Sequence, residues 1–390
     1  MTKFVLIEPC NFIDFPIGGQ LSFAKQLLQA FGNELALVGY AHEGEPAGKW
    51  YKKEIAGFSV DYFGLHHIKK TDSKPLIPLR IQNLFWFKFH IKKILRFPNP
   101  LWFIQAPEIQ VIAAKYKTSG ICYMFPGVAN PLEDPRYKWG LIVASAFHKW
   151  FLKSLAKTDE MLACADDKAI KKLVSETGEL LLNRKIHHFP TCYDSEIFFP
   201  VKRESARTQL GIAQDKTVIV CNGRINKVKG WQLILDSFIE YKKKNKNSLL
   251  IFIGDGEDNN ALSDQIRNKG QHKSVSITGF RTPSQVALYL NSSDLVVVGS
   301  EKEGWSVAML EALGCGKPIV STQVSGANTL ISDGENGFVV NGRDKYKFAE
   351  KMELALSLAH SEETSVAFAK KYTIANLKGN LENIWYKKND

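Results

Sequence analysis

The stretch Ser300-Glu301-Lys302-Glu303-Gly304-Trp305-Ser306-Val307-Ala308-Met309-Leu310-Glu311-Ala312 decides how the rest of the chain is read. Glu303 and Glu311 are separated by seven residues, and the apolar spacing over Trp305–Leu313 is helical. A helix beginning near Trp305 leaves Glu303 in the loop before it and puts Glu311 about two turns in. The first amides of such a helix face the loop without internal partners and favour a phosphate or another anion. A carboxylate deeper on the helix can accept hydrogen bonds from a ribose diol, and one in the loop can reach a sugar ring. A solvated helix face would also space two glutamates this way. The flanking Gly304-Trp305-Ser306 and Ala312-Leu313-Gly314, however, read as buried.

Outward from this stretch, short apolar runs alternate with helical patterns, which predicts parallel α/β architecture. Strands are expected at Phe4–Ile7, Leu35–Val38, Phe58–Tyr62, Trp102–Gln105, Ile121–Met124, Met161–Ala163 and Ile186–Phe189. A second set is expected at Val218–Cys221, Leu249–Ile253, Ser274–Thr278, Leu295–Val298, Pro318–Ser321 and Gly337–Val340. Helices are expected over Gly19–Phe31, Lys229–Lys243 and Tyr372–Trp385. The Pro-punctuated stretch from Phe189 to Pro200, followed by charged Val201–Arg207, reads as a linker between two doubly wound domains.

Two further loops carry chemistry. Cys221-Asn222-Gly223-Arg224 through Lys229-Gly230 follows a strand, where open parallel sheets bind ligands. Arg224 offers a planar fork for phosphate oxygens and Lys229 a point charge near the next helix, a pairing suited to a diphosphate. Ile253-Gly254-Asp255-Gly256-Glu257 is either a tight turn or part of a nucleotide site.

Together these residues resemble the retaining glycosyltransferases of the GT-B fold, family 4 type (glycosyl transferases group 1). The resemblance rests on Gly223-Arg224 with Lys229-Gly230, Gly254-Asp255-Gly256, Thr278-Gly279-Phe280, Ser293-Asp294 and the Glu303-to-Glu311 motif. It continues through Gly316-Lys317-Pro318-Ile319-Val320, Gly326 and Asn336-Gly337, covering about residues 217–345. It implies two Rossmann-like domains facing a central cleft, with a C-terminal helix crossing back to the first. The expected divisions are 1–195 for the acceptor domain, 196–370 for the nucleotide-sugar domain and 371–390 for the returning helix. Arg224 and Lys229 would bind the donor diphosphate and stabilise the leaving nucleotide. Glu311 would hold the ribose hydroxyls, and Glu303 would support the anomeric centre of the transferred sugar. The amides of Gly304, Trp305 and Ser306 would hold sugar hydroxyls or phosphate, with Phe280 and Arg281 near the base. Pro16-Ile17-Gly18-Gly19-Gln20 looks like the family's glycine pair, so Gly18 and Gly19 join the donor-binding set. The family's frequent histidine after a middle strand is absent from Tyr123–Pro131, and Asn130 and Arg136 are the acceptor candidates there. The linker also lacks the Asn and Gly of the family's usual Pro-Asn-Gly-Val-Asp.

Composition narrows the alternatives. At 390 residues and 45% hydrophobic, the chain can bury more than one core, which excludes disorder. No run of apolar residues is long enough for a transmembrane helix, and the start does not read as a secretory signal. A cytoplasmic protein is expected, peripheral at the inner membrane if its acceptor is a lipid-linked saccharide. The net charge of +11 is divided between residues 1–200 (+6) and 201–390 (+5), and suits anionic ligands or an anionic membrane. No zinc-finger, RNA-recognition or basic-zipper pattern supports nucleic-acid binding. Residues 69–103 hold eight basic residues and one acid among interleaved aromatics. They read as a helix packed on its own domain with its lysines in solvent, as a membrane-docking segment, or, third, as an RNA-stacking surface. The six cysteines form no C-x-x-C pair and the histidines no helical metal spacing. With no D-x-D motif, no metal site and no cofactor is expected beyond a UDP- or GDP-linked donor as substrate. The acceptor would be a lipid-linked or soluble saccharide, as in bacterial O-antigen or capsule assembly. Alternatives on the same fold are a nucleotide-sugar epimerase, a sugar phosphorylase or a non-catalytic scaffold.

Overall fold

The computed structural model describes residues 2–15, 19–68, 77–98, 101–117, 119–125, 140–164, 170–171, 173–175, 181, 186–359 and 361–386. Gly18, Asn130, Arg136 and positions 69–76 and 99–100 of the basic aromatic segment lie outside these described residues.

The apolar runs become strands in two separate parallel sheets, one in each compact unit. In the first unit β1 (Phe4–Ile7), β2 (Leu35–Ala41), β3 (Trp50–Ile55), β4 (Phe58–His67), β5 (Trp102–Ile104), β6 (Ile121–Phe125), β7 (Glu160–Ala163) and β8 (Ile186–His188) take the order β3-β4-β2-β1-β5-β6-β7-β8. In the second, β9 (Thr217–Asn222), β10 (Ser248–Ile253), β11 (Val275–Ile277), β12 (Leu295–Val298), β13 (Ile319–Thr322) and β14 (Gly337–Val340) take the order β11-β10-β9-β12-β13-β14. Strands β1, β2 and β12 are buried along their whole length, as expected where helices cover both faces of a parallel sheet. Sequence reading misses one strand, β3. It pairs antiparallel with β4 at the sheet edge, and its charged residues Lys52, Lys53 and Glu54 break the apolar run. The hairpin turns at Ala56-Gly57, where φ is +52° and +83°, the left-handed pair that a tight two-residue turn requires.

Three helices start two residues later than their sequence patterns predict, the C-terminal Ile374–Tyr386 helix among them, after the 3-10 turn Lys370–Tyr372. The Trp231–Lys244 helix follows a short 3-10 turn, Lys227–Lys229, because Gly230 at φ +72° separates the two. The Val307–Gly314 helix starts two residues after Trp305, with Ser306 extended at its cap. Glu311 is therefore on the second turn, and the amides without intrahelical acceptors run from the cap residue Ser306 through Val307 and Ala308 to Met309.

The two compact units are Met1–Pro190 with Leu377–Asp390, and Thr191–Asn376. The N–H of Tyr193 donates to the Tyr372 carbonyl (2.9 Å), and that of Ile374 donates back to Tyr193 (3.0 Å). This pairing ties both segments to the second unit. The later part of the Ile374–Tyr386 helix belongs to the first. Lys3 bridges Glu34 (2.7 Å) and Glu382 (2.6 Å), Lys378 reaches Glu34 (2.6 Å), and the Trp385 ring lies 4.9 Å from that of Phe4. Five of the six cysteines, all but Cys221, are buried. No helix among the described residues is long and apolar enough to cross a membrane.

Candidate functional site

In the second unit the strand order reverses between β9 and β12, because β10 lies on the other side of β9. The crevice beyond the carboxyl ends at such a reversal is where open parallel sheets bind ligands. The loops after β9, β10, β11 and β12 carry the residues singled out in this unit: Gly223, Arg224 and Lys229; Gly254; Phe280; and Glu303 to Ser306, with Glu311 on the helix that follows.

Close backbone contact locks these loops together. A Cβ on Gly254, whose φ is +136°, would stand 2.1 Å from the Gly223 carbonyl oxygen. The Gly254 N–H donates to Gly279 (3.1 Å), joining the β10 and β11 loops. A Cβ on Gly230 would lie 1.8 Å from the Gly299 oxygen, so the β9 and β12 loops touch without side chains between them. The N–H of Glu301 donates to Val228 (2.7 Å), closing the same junction. Gly230 and Gly254 are thus explained by contact between backbones, whereas Gly223 answers to its own backbone conformation, with φ at +143° and nothing within 4 Å of where its Cβ would stand.

On this frame the charged groups pair across loops. Lys229 Nζ donates to Glu303 Oε1 at 2.6 Å, and Ser300 Oγ donates to the same oxygen at 2.6 Å. Asn226 fixes the base of Lys229 by accepting its backbone N–H (2.9 Å). Arg224 Nε meets Glu257 Oε2 at 2.9 Å, and Asn226 Nδ2 donates to the other Glu257 oxygen (3.2 Å). Asn222 Nδ2 donates to Glu311 Oε2 at 2.9 Å. Burial raises the Glu311 carboxyl to about 7, against the opposing pull of the Asn222 hydrogen bond. The site thus holds two cations, each neutralised by a glutamate, and one carboxyl poised near neutrality.

The remaining candidates divide by role. Phe280 is 77% exposed, a free ring face beside the β11 loop. Trp305 is buried edge-on to Tyr372, with ring centroids 5.4 Å apart and Gly326 packed beneath it, so its side chain supports the loop. Gly304 is exposed and Ser306 buried. Gly19 opens the first helix of the other unit, and nothing lies within 4 Å of where its Cβ would stand. Asp294 serves the structure: it accepts from Arg203 (2.7 Å), Arg207 (2.6 Å) and the Val218 N–H (2.7 Å), before β12 rather than after it. Sequence reasoning misses Asn222, Asn226, Glu257 and Ser300. The signal for Asn222 and Ser300 was a polar residue ending or closely following an apolar strand. No group of three or more His, Cys, Asp or Glu suited to a metal occurs among the described residues.

Residues 202–372 match the family described as glycosyl transferases group 1. The chain is similar to N-acetyl-alpha-D-glucosaminyl L-malate synthase of Bacillus anthracis, 27% identical over 192 residues, 49% of each chain. It is also similar to alpha-monoglucosyldiacylglycerol synthase of Acholeplasma laidlawii, 30% identical over 142 residues, 36% of each. The chain spans about half or less of the length of these curated relatives. Over its whole length it shares the fold of Anabaena HepE, solved in complex with UDP and glucose, with a TM-score of 0.70, 17% identity and 100% of each chain covered. The match to the glycosyl transferases group 1 thus falls within the second unit, on a chain whose two Rossmann-like units share the GT-B fold of glycosyltransferases.

Proposed function

We propose that this chain is a retaining glycosyltransferase that moves a sugar from a UDP- or GDP-linked donor to an acceptor hydroxyl. The observation that carries this reading is the set of cross-loop pairs at the strand reversal, Lys229 with Glu303 and Asn222 with Glu311. A donor diphosphate would take over Arg224 and Lys229 from their glutamates, and the ribose diol would take the Glu311 carboxylate. Glu303, relieved of Lys229 but still held by Ser300, would then face the sugar and stabilise positive charge at its anomeric carbon. The bond from that carbon to the diphosphate breaks, and the acceptor oxygen bonds on the same face. The acceptor's proton passes to the leaving phosphate oxygen. Charge on the leaving group would meet Arg224, Lys229 and the first amides of the Val307–Gly314 helix, pre-set donors of the kind that lower such barriers. In this scheme the cationic side chains serve where a metal would otherwise stand, and no cofactor takes part.

The fold shared with a protein solved with UDP and glucose supports a nucleotide sugar as donor, and the similarity to an alpha-monoglucosyldiacylglycerol synthase supports a lipid-borne acceptor, here read as a lipid-linked saccharide. The reaction would belong to bacterial surface polysaccharide assembly, in the cytoplasm at the inner membrane. The test is a thermal-shift screen with UDP, GDP, ADP and CMP, with and without EDTA. At 100 times its dissociation constant a nucleotide adds about 2.7 kcal/mol of stability. A shift with one nucleoside diphosphate, unchanged by EDTA, is the expected result. No shift with any of the four refutes the donor site.

A further inference from the structure

At the amino ends of β12 and β13 the second unit holds a pocket of about 540 Å³, a volume within the range of small-molecule sites. It lies away from the crevice at the sheet reversal. Asp294 stands just before β12 and Pro318 just before β13, whereas Glu303 follows β12. The four residues of β12 separate the two places by roughly 13 Å along the strand.

The buried floor of this pocket is cationic. Lys317 is 7% exposed, and its ammonium donates to one acceptor among the described residues, the Asn291 carbonyl at 3.1 Å. An ammonium carries three N–H donors. Burial pushes the Lys317 ammonium below its ordinary range, as it does to a cation that lacks a counter-ion. Asp294 lines the same floor but is already spent on Arg203, on the buried Arg207 and on the Val218 N–H. Three cations thus stand against one carboxylate. The rim is different. Lys202, Glu204 and Glu362 line it and are all exposed, and Glu204 meets Arg203 at 3.3 Å. The Glu362 stem lies across Gly316, where a Cβ would come within 2.5 Å of its Cγ. Water screens these exposed charges far more than the floor's.

A cationic floor below an acidic rim selects its ligand twice. The floor requires an anion with several acceptor oxygens, and a phosphate monoester brings three oxygens and close to two negative charges. The rim carboxylates accept hydrogen bonds, so the body attached to that phosphate must donate them. We propose that this pocket binds the phosphate monoester of a small polyol, its phosphate on Lys317, Arg203 and Lys202 and its hydroxyls toward Glu204 and Glu362. The proposal stands apart from the donor-site reading.

The experiment is titration calorimetry of the full chain with glycerol 3-phosphate, with inorganic phosphate, which lacks the body, and with glycerate, which carries a carboxylate instead. One saturable site is expected, at least ~5-fold tighter for glycerol 3-phosphate than for either of the others. Lys317→Met keeps the length of the side chain and should lower that affinity at least ~10-fold. Lys202→Glu changes only the exposed rim and should lower it roughly threefold, so it decides alone if Lys317→Met does not fold. Lys229→Ala, at the sheet reversal, should leave it unchanged. No saturable binding, an affinity for glycerol 3-phosphate no higher than for the other two, or binding indifferent to Lys202→Glu and Lys317→Met would overturn the proposal. So would binding lost in Lys229→Ala, which would place the phosphate in the crevice at the sheet reversal.

Discussion

Under the proposed function, Glu311 would link the acidity of the site to its affinity for nucleotide. Burial holds the carboxyl at about 7 in the unliganded chain, against its ordinary 4.5. At pH 6 about nine in ten of these side chains carry a proton, and at pH 8 about one in ten. A ribose diol donates hydrogen bonds, and an ionised carboxylate accepts them roughly twice as strongly as a neutral acid. Nucleotide should therefore bind the ionised form, and its dissociation constant should rise about tenfold from pH 8 to pH 6. Stability of the empty site runs the other way. The folded value lies above the unfolded one, so this contribution is fully present below about 4.5 and is lost as pH rises through about 7. The loss is on the order of 3 kcal/mol. Glu311→Gln should thus raise the melting temperature at pH 8, but not at pH 4, while weakening nucleotide. The assay is titration calorimetry across pH 6–8 with the nucleoside diphosphate that binds and with its 2′,3′-dideoxy form. The dideoxy form keeps the diphosphate, whose own protonation is thereby subtracted. An equal pH slope for the two ligands, or an unchanged slope in Glu311→Gln, would refute the reasoning.

Lys229→Ala removes the cation shared by Glu303 and the diphosphate, and should weaken nucleoside diphosphate binding roughly 10- to 100-fold by calorimetry. Glu303→Gln should lower transfer by about two to three orders of magnitude while leaving nucleotide affinity no weaker, since it frees Lys229; transfer is read as radiolabelled product. Gly254→Ala drives a methyl group into the Gly223 oxygen and should cost roughly 1–3 kcal/mol in denaturant unfolding, with a matching loss of nucleotide affinity. Trp385→Ala, stripped of its contacts with Phe4, Phe31 and Phe103, should destabilise the first unit by about 2–3 kcal/mol and leave nucleotide binding intact in calorimetry.

The sequence by itself determined the two parallel sheets, because strands covered on both faces must be apolar runs, and runs such as Phe4–Ile7 and Leu295–Val298 are visible without partners. It also singled out the loops that the sheet reversal brings together, since Gly223-Arg224, Gly254 and Glu303 each follow such a run. Only tertiary structure decided who pairs with whom. Lys229 meets Glu303, and Asn222 meets Glu311, across 74 and 89 residues of chain. No local pattern encodes a contact made by two loops at a sheet reversal. The same limit hid β3, whose charges are tolerated because it is an edge strand, and the pairing of Tyr193 with Tyr372 and Ile374. It also hid the purpose of Gly254, which exists for the Gly223 carbonyl beside it. Periodicity reports what a segment buries; only the folded chain brings its neighbour from the far end of the sequence.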